Sequence, residues 1–422
     1  MKNVPAELSK KGNSNSTFDH NFIKVLIALF LPYFALSLAQ NGFLGLLPFV
    51  REEFNLTRVQ IGYYSTFFFF SASLLSVFTG SIVDKLGSKK GMLSGIGSLG
   101  ILMILHGLTP SYSLLLFLSF LTGLGFSIIT PSATKAVVMV TPPEKRAFSM
   151  GITQSGFGLG GILGASLLPF LGESLSWRAA VQMAAMVILI TGPLVYKLYQ
   201  EQNNNSDTIN LSSTLLPDER EAQQSIWQNL LSILKDKPLF KVCLLGILFG
   251  ITEGALLSHF VVFLAEDLRI SRVGAGLCFA VLHWGGIAGL IGWGWLSDRF
   301  FKAKRRFSLF LIGVTSGIMY LSFGLFLNHP FSNQTIVFFS SFLFGFLTLG
   351  WSGVYFTSVG EIAGNVHAGI ATGLSLFFVR SLMIIAPPLF GLIADWQECY
   401  RYSWLLFSLV IFAISSFFLQ KD

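Results

Sequence analysis

Twelve apolar stretches of 18 to 28 residues run along this 422-residue chain, at 23–50, 58–83, 91–109, 112–139, 148–171, 178–198, 239–265, 272–297, 307–327, 334–359, 369–393 and 403–420. Each can cross a hydrocarbon core of ~30 Å as a helix, which takes about 20 residues. A water-soluble protein cannot enclose so many, because its outer surface must be wetted. Charged residues are 12% of the chain and hydrophobic ones 53%, against roughly 25% charged in soluble domains. The net charge of +7 is therefore read by its position relative to a bilayer, and not as a nucleic-acid signature.

The polar residues between the stretches set the organisation. A polar tail, 1–22, precedes six spans over 23–198; a polar linker, 199–238, leads to six more over 239–420. No small-residue cleavage site ends the first apolar run, so it reads as a retained span. With the N-terminus inside, the cytoplasmic segments hold 20 of the 28 Lys and Arg, the outer loops hold six, and Lys135 and Arg380 fall within spans. That bias predicts a multi-pass inner-membrane protein with both termini in the cytoplasm.

The halves repeat. At a shift of 214 residues, REEFNLTRVQIG (51–62) falls on AEDLRISRVGAG (265–276): Glu52 meets Glu266, Arg58 meets Arg272, and Gly62 meets Gly276. The same shift lays Gly80 and Asp84 on Gly294 and Asp298, and Lys85 on Arg299. A second echo, at 223, links SWRAA (176–180) with CYRYS (399–403). One register kept across two loops and the span between them marks duplicated units of parallel topology, related by an axis along the membrane normal. Such repeats place a solute site where the halves meet, near the bilayer midplane.

The loop GSIVDKLGSKK (80–90) and its second copy GWLSDRFFKAKRR (294–306) resemble the signature loop of the major facilitator superfamily, and the resemblance covers essentially the whole chain. It implies an all-α membrane fold of twelve transmembrane helices in two six-helix bundles related by a pseudo-two-fold axis. It also implies a gating role for Gly80, Asp84, Lys85, Gly87, Asp298 and Arg299, and Glu361 at the end of span 10 is placed with that cytoplasmic gate. Phe301 stands where the first copy has Gly87, and Ser119 stands where many drug exporters of the superfamily carry an Arg in span 4. The segments 130–156 and 350–364 are more similar to bacterial permeases grouped with cyanate and sugar-phosphate carriers.

Ionisable side chains deep in a span are costly, roughly 2.5–3.5 kcal/mol each on insertion scales, and mark function. Glu253, His283 and Arg380 lie within two residues of the centres of spans 7, 8 and 11, and the repeat places Ala39, Phe69 and Phe157 at their counterparts. A guanidinium pairs well with a carboxylate or phosphate, which makes Arg380 the candidate anion ligand. Glu253, with His283, is the candidate proton carrier. The competing account is a structural Glu253–Arg380 ion pair. Gln40, Asn41, Tyr64, Gln154, Trp351 and Tyr355, with His283, complete the candidate solute site, although such polar groups also serve as helix-packing contacts.

The function expected is secondary active transport of a small polar anion by alternating access, coupled to protons, by a monomer in the lipid bilayer. An efflux carrier for amphipathic compounds is the alternative, and a transport-like solute receptor is a reading of another class. Enzymatic activity has no support: there is no Gly-Lys-Ser/Thr phosphate loop or nucleophile elbow. Cys243, Cys278 and Cys399 have no metal-ligand spacing. No cofactor, metal or nucleic-acid partner is expected.

Overall fold

The computed structural model describes residues 20–142, 145–200, 237–326 and 334–417. Most of the expected tail and linker lies outside them. In the first half α1 (His20–Gly45), α3 (Arg58–Leu86), α4 (Ser88–Leu108), α5 (Tyr112–Val140), α6 (Arg146–Ser174) and α7 (Trp177–Leu198) follow the apolar stretches. The second half has α8 (Lys237–Glu266), α9 (Arg272–Trp295), α10 (Arg305–Phe326), α11 (Gln334–Leu349), α12 (Ser352–Trp396) and α13 (Arg401–Phe417). No strand occurs among the described residues. In lipid every backbone polar group must be satisfied internally, and a helix does this within one segment. Among the described residues, ten helical stretches are long and apolar enough to span a membrane. Trp295, Trp396, Tyr196 and Tyr402 are exposed near helix ends, where aromatic rings suit the membrane interface.

Three boundaries differ from expectation. Span 1 stops at Gly45, and Leu47–Phe54 forms a separate short helix, α2, started by Pro48 in its first turn. Span 10 breaks at Gly350 and Trp351. Thirdly, helical backbone continues from Ser352 to Trp396 where two spans were expected. It is not a straight rod. Tyr355 and Val379 would lie about 36 Å apart on one, yet both approach within 3 Å of where a Cβ on Gly246 would stand. The chain therefore reverses between them, as two spans require.

The repeat register is visible in the seams between the halves. Gly62 of α3 faces the backbone of Pro387 and Pro388 on α12, where a Cβ would come within 2.6 Å. Its counterpart, Gly276 of α9, faces Ala165 and Pro169 on α6 just as closely. Only glycine allows these backbone approaches. The two signature loops turn differently. Gly87 takes the positive φ of 82° in the first; the second has Phe301 at that place and puts Lys302 and Ala303 at φ 50° and 58°. A left-handed conformation costs a side-chain-bearing residue roughly 1–2 kcal/mol, so the second loop holds strain the first avoids.

Candidate functional site

Charges at the expected outer face join the halves. Arg58 reaches Glu266 at 3.3 Å and Asp267 at 3.7 Å; Arg51 also pairs with Glu266, and Arg272 with Glu52. The acids and bases are those of the repeated loop motif. Asp395, at the end of α12, accepts the backbone N–H groups of Arg58 and Val59 at 2.8 Å each. These are the first two orphan donors of α3, and Thr57 takes the third, from Gln60. Further in, Ser258 donates to Ser65 at 2.7 Å and Thr66 to the Ile384 carbonyl at 2.6 Å. A cavity of 710 Å³ lined by Arg51, Glu52, Glu173 and Arg272 remains at the rim. Burial pushes the Asp267 carboxyl above its ordinary pKa, against the Tyr400 N–H and the Arg58 and Arg51 charges that favour ionisation.

Deeper, Arg380 is partly buried on α12. No hydrogen bond or ion pair to it occurs among the described residues, and Glu253 does not pair with it. Instead the Trp351 indole N–H donates to Glu253 Oε2 at 3.1 Å. Trp351 stacks on Phe249 with ring centres 4.6 Å apart, and Tyr355 packs edge-on to both. The structure thus gathers Glu253, Trp351 and Tyr355 beside the break in helical backbone at Gly350. Irregular backbone at membrane depth occurs where it is enclosed by protein or lines a cavity.

Asn41 of α1 and His283 of α9 come from different halves and meet at Gly161 of α6. Gln40 is buried beside Asn41 in the chain. Gln154 is exposed; it sits one turn from Gly158, whose missing Cβ faces Ile287 of α9. Tyr64 is not brought to this group. Its ring stacks on Phe43, its hydroxyl meets His106 at 3.3 Å, and its carbonyl accepts from Ser119, all within the first half. His259 is fully buried between the Tyr400 hydroxyl and the Pro387 carbonyl.

At the other face, Arg305 gathers Asp298, the Ser297 hydroxyl at 2.9 Å and Glu361 at 3.0 Å. All four belong to the second half, and no ion pair joins the halves here among the described residues. Lys85 and Arg299 are exposed. The surroundings of Gly80 and the side chain of Asp84 lie outside the described residues. Sequence reasoning missed Arg305, which looked like one more topology-setting base, and it missed Asp395. The outer loop charges served there to set orientation and to mark the repeat, not as partners across the seam.

Two packed helical halves that are pinned together at one face, with a histidine buried where they meet, make up a membrane transporter for small solutes. The chain belongs to the major facilitator superfamily, whose model matches residues 29–387. It is 23% identical to the hexuronate transporter of Bacillus subtilis, over 92% of each chain. It is 24% identical to the probable sulfoacetate transporter SauU of Cupriavidus necator, over 88% of this chain and 87% of that one. Among solved structures it resembles a bacterial homologue of the human lysosomal transporter Spinster in an inward-facing, unoccupied conformation. The TM-score is 0.75 at 15% identity, covering 95% of this chain and 96% of that one, a likeness of fold.

Proposed function

We propose that this transporter has twelve spans and moves a small organic anion across the inner membrane by alternating access, with a proton as coupling ion. The observation that carries the anion is Arg380: a guanidinium deep in a span, with no partner among the described residues. Such a charge is tolerated where a ligand or water-filled cavity compensates it. The relatives named for hexuronate and sulfoacetate transport support the same reading. Glu253 serves as the proton carrier. Its Trp351 partner leaves it free of a fixed countercharge, so its protonation can follow the side to which it is open.

The outer ion pairs and the Asp395 cap hold the state that is closed outside. The gate residues Asp84, Lys85, Asp298, Arg299 and Glu361 act at the cytoplasmic face, and Arg305 joins them by its contacts with Asp298 and Glu361. The test is uptake by proteoliposomes from a panel of carboxylates, phosphates and sulfonates, with neutral sugars as controls. Arg380→Lys keeps the charge but loses the planar fork, and should weaken uptake of the anion found; Arg380→Ala should abolish it. Unchanged affinity in Arg380→Ala would remove the anion reading.

A further inference from the structure

The seam formed by α1, α6 and α9 holds polar atoms that the protein leaves unpaired. Gly161 opens the space. A Cβ there would stand 3.1 Å from Ser37 Oγ, 3.3 Å from Asn41 Nδ2 and 3.5 Å from His283 Cδ2. Asn41 is 0% exposed, and Gln40 and His283 are 8% exposed. Asn41 donates to Ser37 Oγ at 2.9 Å. Its Oδ1, Gln40 Oε1 and His283 Nε2 have no hydrogen-bond partner among the described residues.

Burying an unpaired polar atom is destabilising, and native proteins keep few such atoms. Two of them, Asn41 Oδ1 and His283 Nε2, belong to side chains that meet at Gly161 from opposite halves, and they call for something that completes them. The chemistry of that group follows from theirs. An amide carbonyl oxygen needs a donor, and a carboxylate or phosphate oxygen offers only acceptors. An ammonium would donate, but it would bring a buried charge to a cluster that contains no carboxylate. A hydroxyl donates to an amide oxygen and also exchanges a hydrogen bond with an imidazole nitrogen in either tautomer.

The geometry points to Asn41 and His283 as a hydroxyl-reading subsite that solute completes across the two halves. Joined to the reading of Arg380 as the anion ligand, on which this part rests, it makes the transported solute a hydroxylated organic acid. The anionic end goes to Arg380 and the hydroxyl end to the seam. A solute that bridges Asn41 and His283 also ties the halves together, which an occluded state needs.

Melting of the purified full chain tests this with three probes: gluconate, hexanoate as its hydroxyl-free counterpart, and sorbitol as its neutral one. Two variants remove an unpaired atom while keeping shape. His283→Phe retains the edge-on contact with Phe279, and Asn41→Leu keeps the branched shape of the side chain. Without solute, both variants should melt higher than wild type, because each removes a buried unsatisfied group. Gluconate should stabilise wild type more than hexanoate does, and His283→Phe should erase that difference. Variants that melt lower than wild type and keep the preference for gluconate would overturn the subsite, since both side chains would then be structural. Equal stabilisation by gluconate and hexanoate, lost in Arg380→Ala, would overturn it while leaving the anion reading intact. A gluconate preference that survives Arg380→Ala, with sorbitol also binding, would support the subsite and remove the anion reading. If no probe binds, the ligand-free melting points decide: higher in the variants supports the subsite, lower overturns it.

Discussion

Glu266 of the second half takes the guanidinium of Arg58 from the first at 3.3 Å, and the repeat maps this pair onto Arg272 and Glu52, which also pair. A two-fold axis brings each patch against its own copy, so an acid and a base carried on one loop satisfy the base and acid of the other. The repeat therefore yields a self-complementary clasp. The Arg272–Glu52 pair, 37% and 65% exposed, is worth about 0–1 kcal/mol. The clasp biases a conformational equilibrium and does not lock it.

Charge reversal should show that bias. Arg272→Glu puts two acids together and should shift the population toward states open at this face, by no more than about fivefold on the scale of a surface pair. Adding Glu52→Arg should restore the wild-type distribution. Distances between spin labels at Asn55 and Ile270, on opposite sides of the clasp, read the change. A double variant as open as the single one would show that the pairing contributes nothing.

The Asp395 cap should matter more, because its two N–H bonds are partly buried and belong to the seam itself. Removing a helix cap costs about 1 kcal/mol, and here the loss falls only on the state closed at this face. Asp395→Ala should open this face by roughly fivefold while the protein still folds, since Thr57 continues to cap α3 from within its own half. The label pair at Asn55 and Ile270 measures this too. Unfolded protein, or an unchanged distance distribution, would argue against a conformational role.

Residue periodicity and charge counts made the spans, the duplication and the intramembrane charges legible, because lipid imposes length and polarity on every segment it surrounds. Partners across the seams were not legible. Asp395 sits in an ordinary-looking loop start, and its role depends on α12 meeting the end of α3, a contact of sequence separation 336 or more. Tyr64 shows the opposite limit. A polar tip near the middle of a span looks solute-facing, but His106 lies one helix away to receive it. Gly161 is the informative case: a glycine in a span carries no chemistry of its own, yet its missing side chain admits Asn41 and His283 to one space.

Acid should dissolve one contact selectively. Burial alone would raise the Glu53 carboxyl, but the Arg178 side chain, the Trp177 indole N–H and the Arg178 charge outweigh it and hold its pKa below the usual carboxylate value. A group whose folded pKa is depressed stabilises above its unfolded pKa, near 4.3, and loses that contribution as pH falls through the folded value. Glu53→Gln should therefore melt lower than wild type from neutral pH down to about pH 5, and the gap should close below about pH 4. The carboxylate is 42% exposed, so the gap should be small and should shrink in high salt. A gap that persists unchanged at the lowest pH would assign the loss to packing.

Glu253 offers the sharpest separation of coupling from folding. A structural ion pair with Arg380 would make Glu253→Gln strand a buried cation, at about 3–5 kcal/mol. In this structure the carboxylate instead accepts from the Trp351 indole, and a Gln side-chain oxygen can accept the same bond. The variant should fold, with a melting temperature within a few degrees of wild type. It should bind the solute and exchange it across proteoliposome membranes at equal concentrations, because Gln mimics the protonated carboxyl in every conformer. It should fail to accumulate solute when an inward proton gradient is imposed, since no proton can be loaded on one side and released on the other. Trp351→Phe removes the donor and keeps the stack on Phe249, so it should retain exchange with altered pH dependence of uptake. A well-folded Glu253→Gln protein that still drives uphill uptake would eliminate Glu253 as the proton carrier.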